Sequence, residues 1–319
     1  MAAITVPPGV EGLAGLYDLP DDTWADRWDR IVLPPGQKDR LLNYVLFSLR
    51  HRGRVSQVGL PIHGLVVLAG PPGTGKTTLA GGLAHKAAQT LEGGSLLFVD
   101  IDPHVFPSQM LGESQRAVAR LFERTLPDLA SRGHPMIVLL DEVEALAVSR
   151  SRASLETNPV DVHRATDAVL SGVDRVARAW PNVTFLATTN YKIGVDVAFL
   201  SRADLIEEIA SPDADAIRAI LSDTIRELTG SDDPDAAGLQ ALAADAAALR
   251  LDARQVRKLV LRAVVSRRDL ALDPAALTVA DVATVVAADT ANAAGAAGVA
   301  GAADATQRGD AAAIDTGGR

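Results

Sequence analysis

From Gln37 to His51 the apolar residues Leu41, Leu42, Val45, Leu46 and Leu49 recur at helical spacing and give one buried face. Arg50, Arg52 and Arg54 follow, and read as a solvated helix end whose charge complements the helix dipole, in preference to a nucleic-acid patch. After Pro61 the pattern changes. Short apolar runs, Leu65 to Ala69, Ser95 to Ile101, Met136 to Leu140, Val183 to Thr188 and Asp204 to Ala210, alternate with helical periods such as Val118, Leu121, Phe122, Leu126 and Leu129, or Val169, Leu170, Val173 and Val176. Strands buried on both faces and separated by helices predict an α/β domain with a parallel five-stranded sheet flanked by helices. Beyond Pro212 only helical periods remain, around Ile217 to Leu228, Leu239 to Leu249, Arg254 to Val265 and Val279 to Val286. The expected organisation is a flexible arm over residues 1–27, the α/β domain with its leading linker helix over 28–210, a small all-α domain over 211–290, and a disordered tail over 291–319. The arm is rich in Gly, Pro and Asp without a sustained period, and the tail holds 12 Ala and 6 Gly in 29 residues.

Composition narrows the function classes. With 31 Lys plus Arg against 40 Asp plus Glu, the net charge of −9 argues against bulk attachment to nucleic acid or an anionic membrane. The absence of cysteine excludes disulfides, a thiol nucleophile, a thiolate zinc site and iron–sulfur ligands, and fits a reducing cytosol. The apolar runs fall far short of the roughly 20 residues that span a bilayer, and Met1 to Val10 lacks the basic region of a secretory signal, so a cytoplasmic location is expected. Aromatic residues are only 4% of a chain that is 48% hydrophobic, so much of the apolar content is aliphatic, and the Ala/Gly tail inflates the apparent core.

Three segments carry chemistry. Gly70, Pro71, Pro72, Gly73, Thr74, Gly75, Lys76 and Thr77 fit G-x-x-x-x-G-K-[ST] between an apolar strand and a helix led by Thr78. The glycines let consecutive backbone N–H groups turn toward phosphate oxygens, and the helix offers its positive end to the same anion. Lys76 would reach the β- and γ-phosphates, and Thr77 would give a hydroxyl to Mg²⁺. Met136 to Glu142 is an apolar strand ending in two carboxylates, at the sheet edge where ligands of such folds bind. Asp141 would join the Mg²⁺ shell and Glu142 would orient and polarise the attacking water. A third strand ends in Thr189-Asn190, where an amide can bond both that water and the γ-phosphate, although Asn at a strand end is also an ordinary turn former.

In this order, and followed by a helical domain, these motifs resemble a P-loop AAA+ ATPase module with an α-helical lid. Leu140 to Leu146, Asp196 to Asp204 and Ala253 to Lys258 more narrowly resemble the pachytene checkpoint protein 2-like ATPases, which remodel HORMA-domain proteins. The similarity extends over roughly residues 28 to 285. It implies that Arg202 is an arginine finger reaching the γ-phosphate held by an adjacent subunit, hence a homo-oligomer, expected as a hexamer. It further implies that Arg254 is a second sensor meeting the phosphates from the lid. A surface salt bridge is the alternative for each. The segment Phe106 to Ser114 matches the loop projecting into the central pore, where Met110 and Leu111 would grip substrate in place of the family's usual aromatic, or pack on their own domain. Ser149 to Val160 would be a second pore loop. Trp28 to Leu33 resembles the linker on which adenine rests, so Ile31 and Val32 would line the base pocket, a placement that core packing explains as well.

Eukaryotic members carry a separate amino-terminal recognition domain. Only 69 residues precede Gly70, so no such domain is expected. The compact form is similar to bacterial members of cyclic-oligonucleotide antiphage systems, which implies ATP and Mg²⁺ as cofactors, with a HORMA protein and its bound nucleotidyltransferase as clients. Two other functions compete: an AAA+ remodeler of a different protein client, and a nucleotide-switched loader acting on DNA. The acidic charge and the lack of a DNA-binding motif count against the loader.

Overall fold

The computed structural model describes residues 12–55, 59–102, 113–147, 159–231 and 235–291. The expected pore residues Met110 and Leu111, most of Ser149 to Val160, the first 11 residues and the tail from residue 292 lie outside the described residues. The chain divides into two compact units, Met1–Ser211 and Pro212–Arg319.

In the first unit the strands are β1 (Leu13–Leu19), β2 (Leu65–Ala69), β3 (Leu96–Ile101), β4 (Met136–Leu140), β5 (Val183–Thr189) and β6 (Leu205–Glu208). Its helices are α1 (Ala25–Asp29), α2 (Gln37–His51), α3 (Lys76–Thr90), α4 (Glu113–Arg120), α5 (Leu126–Ala130), α6 (Pro159–Ala179) and α7 (Val197–Leu200). A π turn, Leu121–Thr125, joins α4 to α5. The strand order is β1-β3-β4-β5-β2-β6, with β3, β4, β5, β2 and β6 parallel. Every residue of β2, β4 and β5 is buried, as strands covered on both faces require. Alternate residues feed two cores. Val67, Val99, Val138 and Phe185 pack with Val118, Leu121 and Val173, whereas Val66, Leu68, Phe98, Ile137 and Leu186 pack with Leu41, Val45, Leu79 and Leu83.

The expected five parallel strands form, a sixth antiparallel strand joins them, and that strand replaces the expected arm over its described part, residues 12–27. Leu13–Leu19 pairs antiparallel with β3, and the register shifts between Leu13 and Gly15. Leu16 and Leu19 are buried, and Trp24 packs against Tyr17 and Phe98 with ring centroids 4.8 and 5.2 Å away. A strand of seven residues with a glycine and a register irregularity has too short an alternation to stand out from Gly/Pro/Asp-rich surroundings.

Arg52 is a second correction. It is 1% exposed, and its guanidinium donates to the carbonyls of His63 (2.9 Å), Trp180 (3.0 Å) and Val183. Gly64, at φ +69°, makes room for it, since a Cβ there would lie 1.5 Å from Nη1. Nearby, the Asp204 carboxylate accepts from the N–H groups of His63, Gly64 and Leu65 and from the Tyr44 hydroxyl, tying the start of β6 to the start of β2. Burial and the bond to Asp204 push the Tyr44 phenol well above its ordinary pKa.

The second unit contains α8 (Ala214–Thr229), α9 (Ala236–Ala248), α10 (Ala253–Ser266), α11 (Arg268–Leu272) and α12 (residues 279–291). Asp213, Asp235 and Asp252 cap the first three, and Asp252 forms a reciprocal capping box with Gln255. Ile217, Leu221, Leu242, Val256, Val260 and Val282 belong to its own core. Among the described residues no helix is long and apolar enough to cross a membrane.

Candidate functional site

The strand order sets β2 between β5 and β6, with β4 one strand further along, so three sequence-distant motifs end at one sheet edge. From β2 the chain enters the Gly70–Thr77 loop and then α3, which starts at Lys76. Gly70 donates to the Thr189 carbonyl at 3.1 Å, and a Cβ at this position would stand 2.0 Å from the Ile209 carbonyl oxygen. Backbone thus closes the loop's base from two sides, and only glycine fits. Gly73 and Gly75 take φ of +81° and +89°, a region costly to side-chain-bearing residues. Thr74, buried, donates to the Pro71 carbonyl at 3.0 Å. Pro72 and Thr78 are exposed.

Lys76 Nζ donates to the Gly70 and Pro71 carbonyls, each at 2.8 Å, and to Asn190 Oδ1 at 2.9 Å. The Asn190 amide nitrogen in turn donates to Glu142 Oε1 at 3.3 Å. Thr77 Oγ1 donates to Asp141 at 2.9 Å, and Asp141 also accepts from Thr188 Oγ1 at 2.5 Å. Thr188 Oγ1 accepts from the Glu142 N–H at 2.9 Å. Glu142 adopts φ +49°, rare for a residue with a side chain, and its side chain is exposed at the edge. Lys76, Thr77, Asp141, Glu142 and Asn190 therefore form one hydrogen-bonded cluster. Burial pushes the Lys76 ammonium down from its ordinary pKa, while the charges of Glu144, Asp141 and Glu142 oppose that shift.

Three members of this neighbourhood escaped the sequence reading. Thr188 bridges Asp141 to the Glu142 backbone, and its signal was a hydroxyl near the carboxyl end of a buried strand, directly before Thr189-Asn190. Glu144 accepts the Asn190 backbone N–H at 3.0 Å, while its other carboxylate oxygen is buried with no partner among the described residues. Its place two residues beyond Glu142, at the opening of a 3₁₀ turn, was the available hint. Asp100, on β3, is pushed up to about 6, by burial first and then by the charges of Asp141 and Asp102, with Arg27 opposing.

Ile31 is buried, and a Cβ on Gly75 would lie 2.6 Å from its Cδ1; Val32 is 42% exposed. The two residues of the expected base pocket are thus divided, one wedged on the loop and one open. Arg202 is not drawn into the Lys76 cluster. Its guanidinium pairs with Asp174 of α6 through Nε at 2.9 Å and Nη2 at 2.9 Å, and donates from Nη1 to the Ala198 carbonyl at 2.7 Å. Arg254 belongs to the second unit, exposed in the first turn of α10.

Residues 66–211 match the ATPase family associated with various cellular activities (AAA). The chain is 40% identical over 285 residues to CD-NTase-associated protein 6 of Pseudomonas aeruginosa, covering 88% of this chain and 92% of that protein. It is 34% identical over 218 residues to the pachytene checkpoint protein 2 homolog of Danio rerio, covering 67% of this chain and 51% of the relative. The chain thus spans about half the length of that relative. A chain in the structure of an E. coli HORMA:CdnC:Trip13 complex shares its fold with a TM-score of 0.71 at 21% identity, covering 88% of this chain and 97% of that one.

Proposed function

The chain belongs to the AAA ATPases, in the family of CD-NTase-associated protein 6 and the pachytene checkpoint protein 2 homologues, and on that premise we propose that it couples ATP hydrolysis to remodelling or disassembly of HORMA-domain protein complexes. The observation that carries the chemical part is the convergence of Lys76, Thr77, Asp141, Glu142 and Asn190 at one sheet edge beside a loop that only glycine can build. The backbone N–H groups of Gly73 to Thr77 bind the phosphates, and Lys76 exchanges its carbonyl acceptors for phosphate oxygens. Thr77 and Asp141, already in hydrogen-bond contact, place two hard oxygen ligands together and so fit Mg²⁺. When bound, the ion supplies charge neutralisation on the phosphate oxygens. Glu142 orients the attacking water and draws on its proton, and the Asn190 amide, held between Lys76 and Glu142, fixes that water relative to the terminal phosphate.

The client half of the proposal rests on the similarity to CD-NTase-associated protein 6 and on the fold shared with a component of a HORMA:CdnC:Trip13 complex. We place the protein in the cytoplasm as a homo-hexamer that restrains an antiphage signalling complex made of a HORMA protein and its nucleotidyltransferase. Arg202 acts on the nucleotide of an adjacent subunit, and Arg254 senses nucleotide from the helical unit.

Glu142→Gln tests the chemistry. Retained nucleotide binding with hydrolysis reduced by about 10²- to 10⁴-fold is expected, the range attributed to a positioned base; hydrolysis at the wild-type rate would remove Glu142 from its role. For the client, a purified complex of HORMA protein and nucleotidyltransferase should shrink on size exclusion when wild-type protein and ATP are added. It should persist with the Gln variant. A complex unchanged by active ATPase would overturn the HORMA assignment.

A further inference from the structure

Arg202 is held in a specific way. A guanidinium carries five N–H groups: one on Nε and two on each terminal nitrogen. Here Nε and Nη2 form the side-on edge that grips the Asp174 carboxylate, with Nε 2.9 and 3.0 Å from its two oxygens and Nη2 2.9 Å from Oδ2. Nη1 spends one hydrogen on the Ala198 carbonyl, one helical turn back in the chain. One hydrogen on Nη1 and one on Nη2 are left without an acceptor among the described residues. Two such donors in one rigid plane match two oxygens of a phosphate group, and the side chain is only 26% exposed, so the fork is fixed before any anion arrives.

We propose that Asp174 is the positioning residue of the trans-acting arginine: it clamps the rear edge of Arg202 so that the remaining donor pair meets the terminal phosphate of a nucleotide bound by a second copy of the chain. This rests on the reading of Arg202 given above. The backbone leading to the fork is anchored as well, because Asp204, two residues on, accepts from three consecutive N–H groups at the start of β2. Without the Asp174 carboxylate, Arg202 would keep only its single bond to the Ala198 carbonyl and could swing about it, and a misplacement of about 1 Å in such a contact costs on the order of 100-fold in rate.

Complementation separates this role from a merely structural one. Asp174→Ala and Arg202→Ala should each lower ATP turnover at saturating nucleotide, the Asp174 variant by about 10- to 100-fold, with half-saturating ATP nearly unchanged. Mixing either variant with Glu142→Gln subunits should restore activity, because the Gln subunits offer intact fingers to sites whose own Glu142 is present. Asp174→Glu, which keeps the carboxylate, should recover part of the rate. If Arg202→Ala hydrolyses ATP normally, the finger reading itself is wrong. If Arg202→Ala is inactive while Asp174→Ala is not, only the clamp is wrong. Loss in Asp174→Ala that Glu142→Gln subunits do not rescue also overturns the clamp, since it locates the defect within the subunit's own site or fold.

Discussion

Asp100 lies on the strand next to the one that delivers Asp141, and its carboxyl is pushed up to about 6 from an ordinary value of 3.8. Between those values the folded state holds a proton that the unfolded state has released. The stability this group contributes is therefore complete below about pH 4 and is lost as pH rises through about 6. Asp100→Asn, nearly isosteric and uncharged, escapes that loss. In urea titrations of nucleotide-free protein the variant should gain on wild type between pH 4 and 7.5; a difference independent of pH would show that Asp100 is not shifted by its surroundings. The residue scale is also where the sequence was unevenly readable. Gly70 to Thr77, Asp141 and Glu142 declare themselves because their chemistry depends on contiguous backbone and on one strand end. Thr188, Glu144 and Arg52 do not, because their partners lie 47, 46 and up to 131 residues away and nothing in local spacing encodes them. An arginine following a helix reads as solvated until a second segment brings carbonyls to it.

At the scale of elements, α1 lies so close to α3 that Gly82 has no room for a side chain. A Cβ there would meet the Trp28 backbone nitrogen at 2.5 Å and its Cα at 2.7 Å. Two effects oppose each other on substitution. Alanine gains about 1 kcal/mol over glycine in a helix interior, whereas a methyl forced into packed backbone costs roughly 1–3 kcal/mol or more. Because backbone yields less readily than a side chain tip, the clash should prevail. Gly82→Ala is expected to be destabilised by about 1–2 kcal/mol in urea unfolding, and a stabilised variant would mean that α1 can lift off without penalty. The elements themselves were mostly legible. Leu65–Ala69, Met136–Leu140 and Gln37–His51 fall where periodicity placed them, since strands buried on both faces and long amphipathic helices leave strong periods. β1 was missed because an edge strand with an irregular register is held by its partner β3 and by the aromatic contact of Tyr17 with Trp24, both outside its own pattern.

For the whole molecule, the proposed ring makes a kinetic demand. If Arg202 of one subunit completes the site of the next, specific ATPase activity must rise with protein concentration until assembly saturates. Light scattering with ATP should show the larger species over the same range. Activity constant down to the monomer would contradict a shared site. The distinction between the two sources of knowledge has one physical origin. The sequence alone determined that strands alternate with helices, that a glycine loop joins one strand to one helix, that two carboxylates end another strand, and that a helical unit follows. Each of these depends on periods and contiguity within a few turns of chain. Tertiary structure alone decided that β5 lies between β2 and β4, which brings Asn190 to Lys76 and Thr188 to Asp141. It also decided that Asp174 meets Arg202 across 28 residues. Such pairings are set by which helices cover which sheet face and in what order the strands close, a global packing solution that local spacing does not contain.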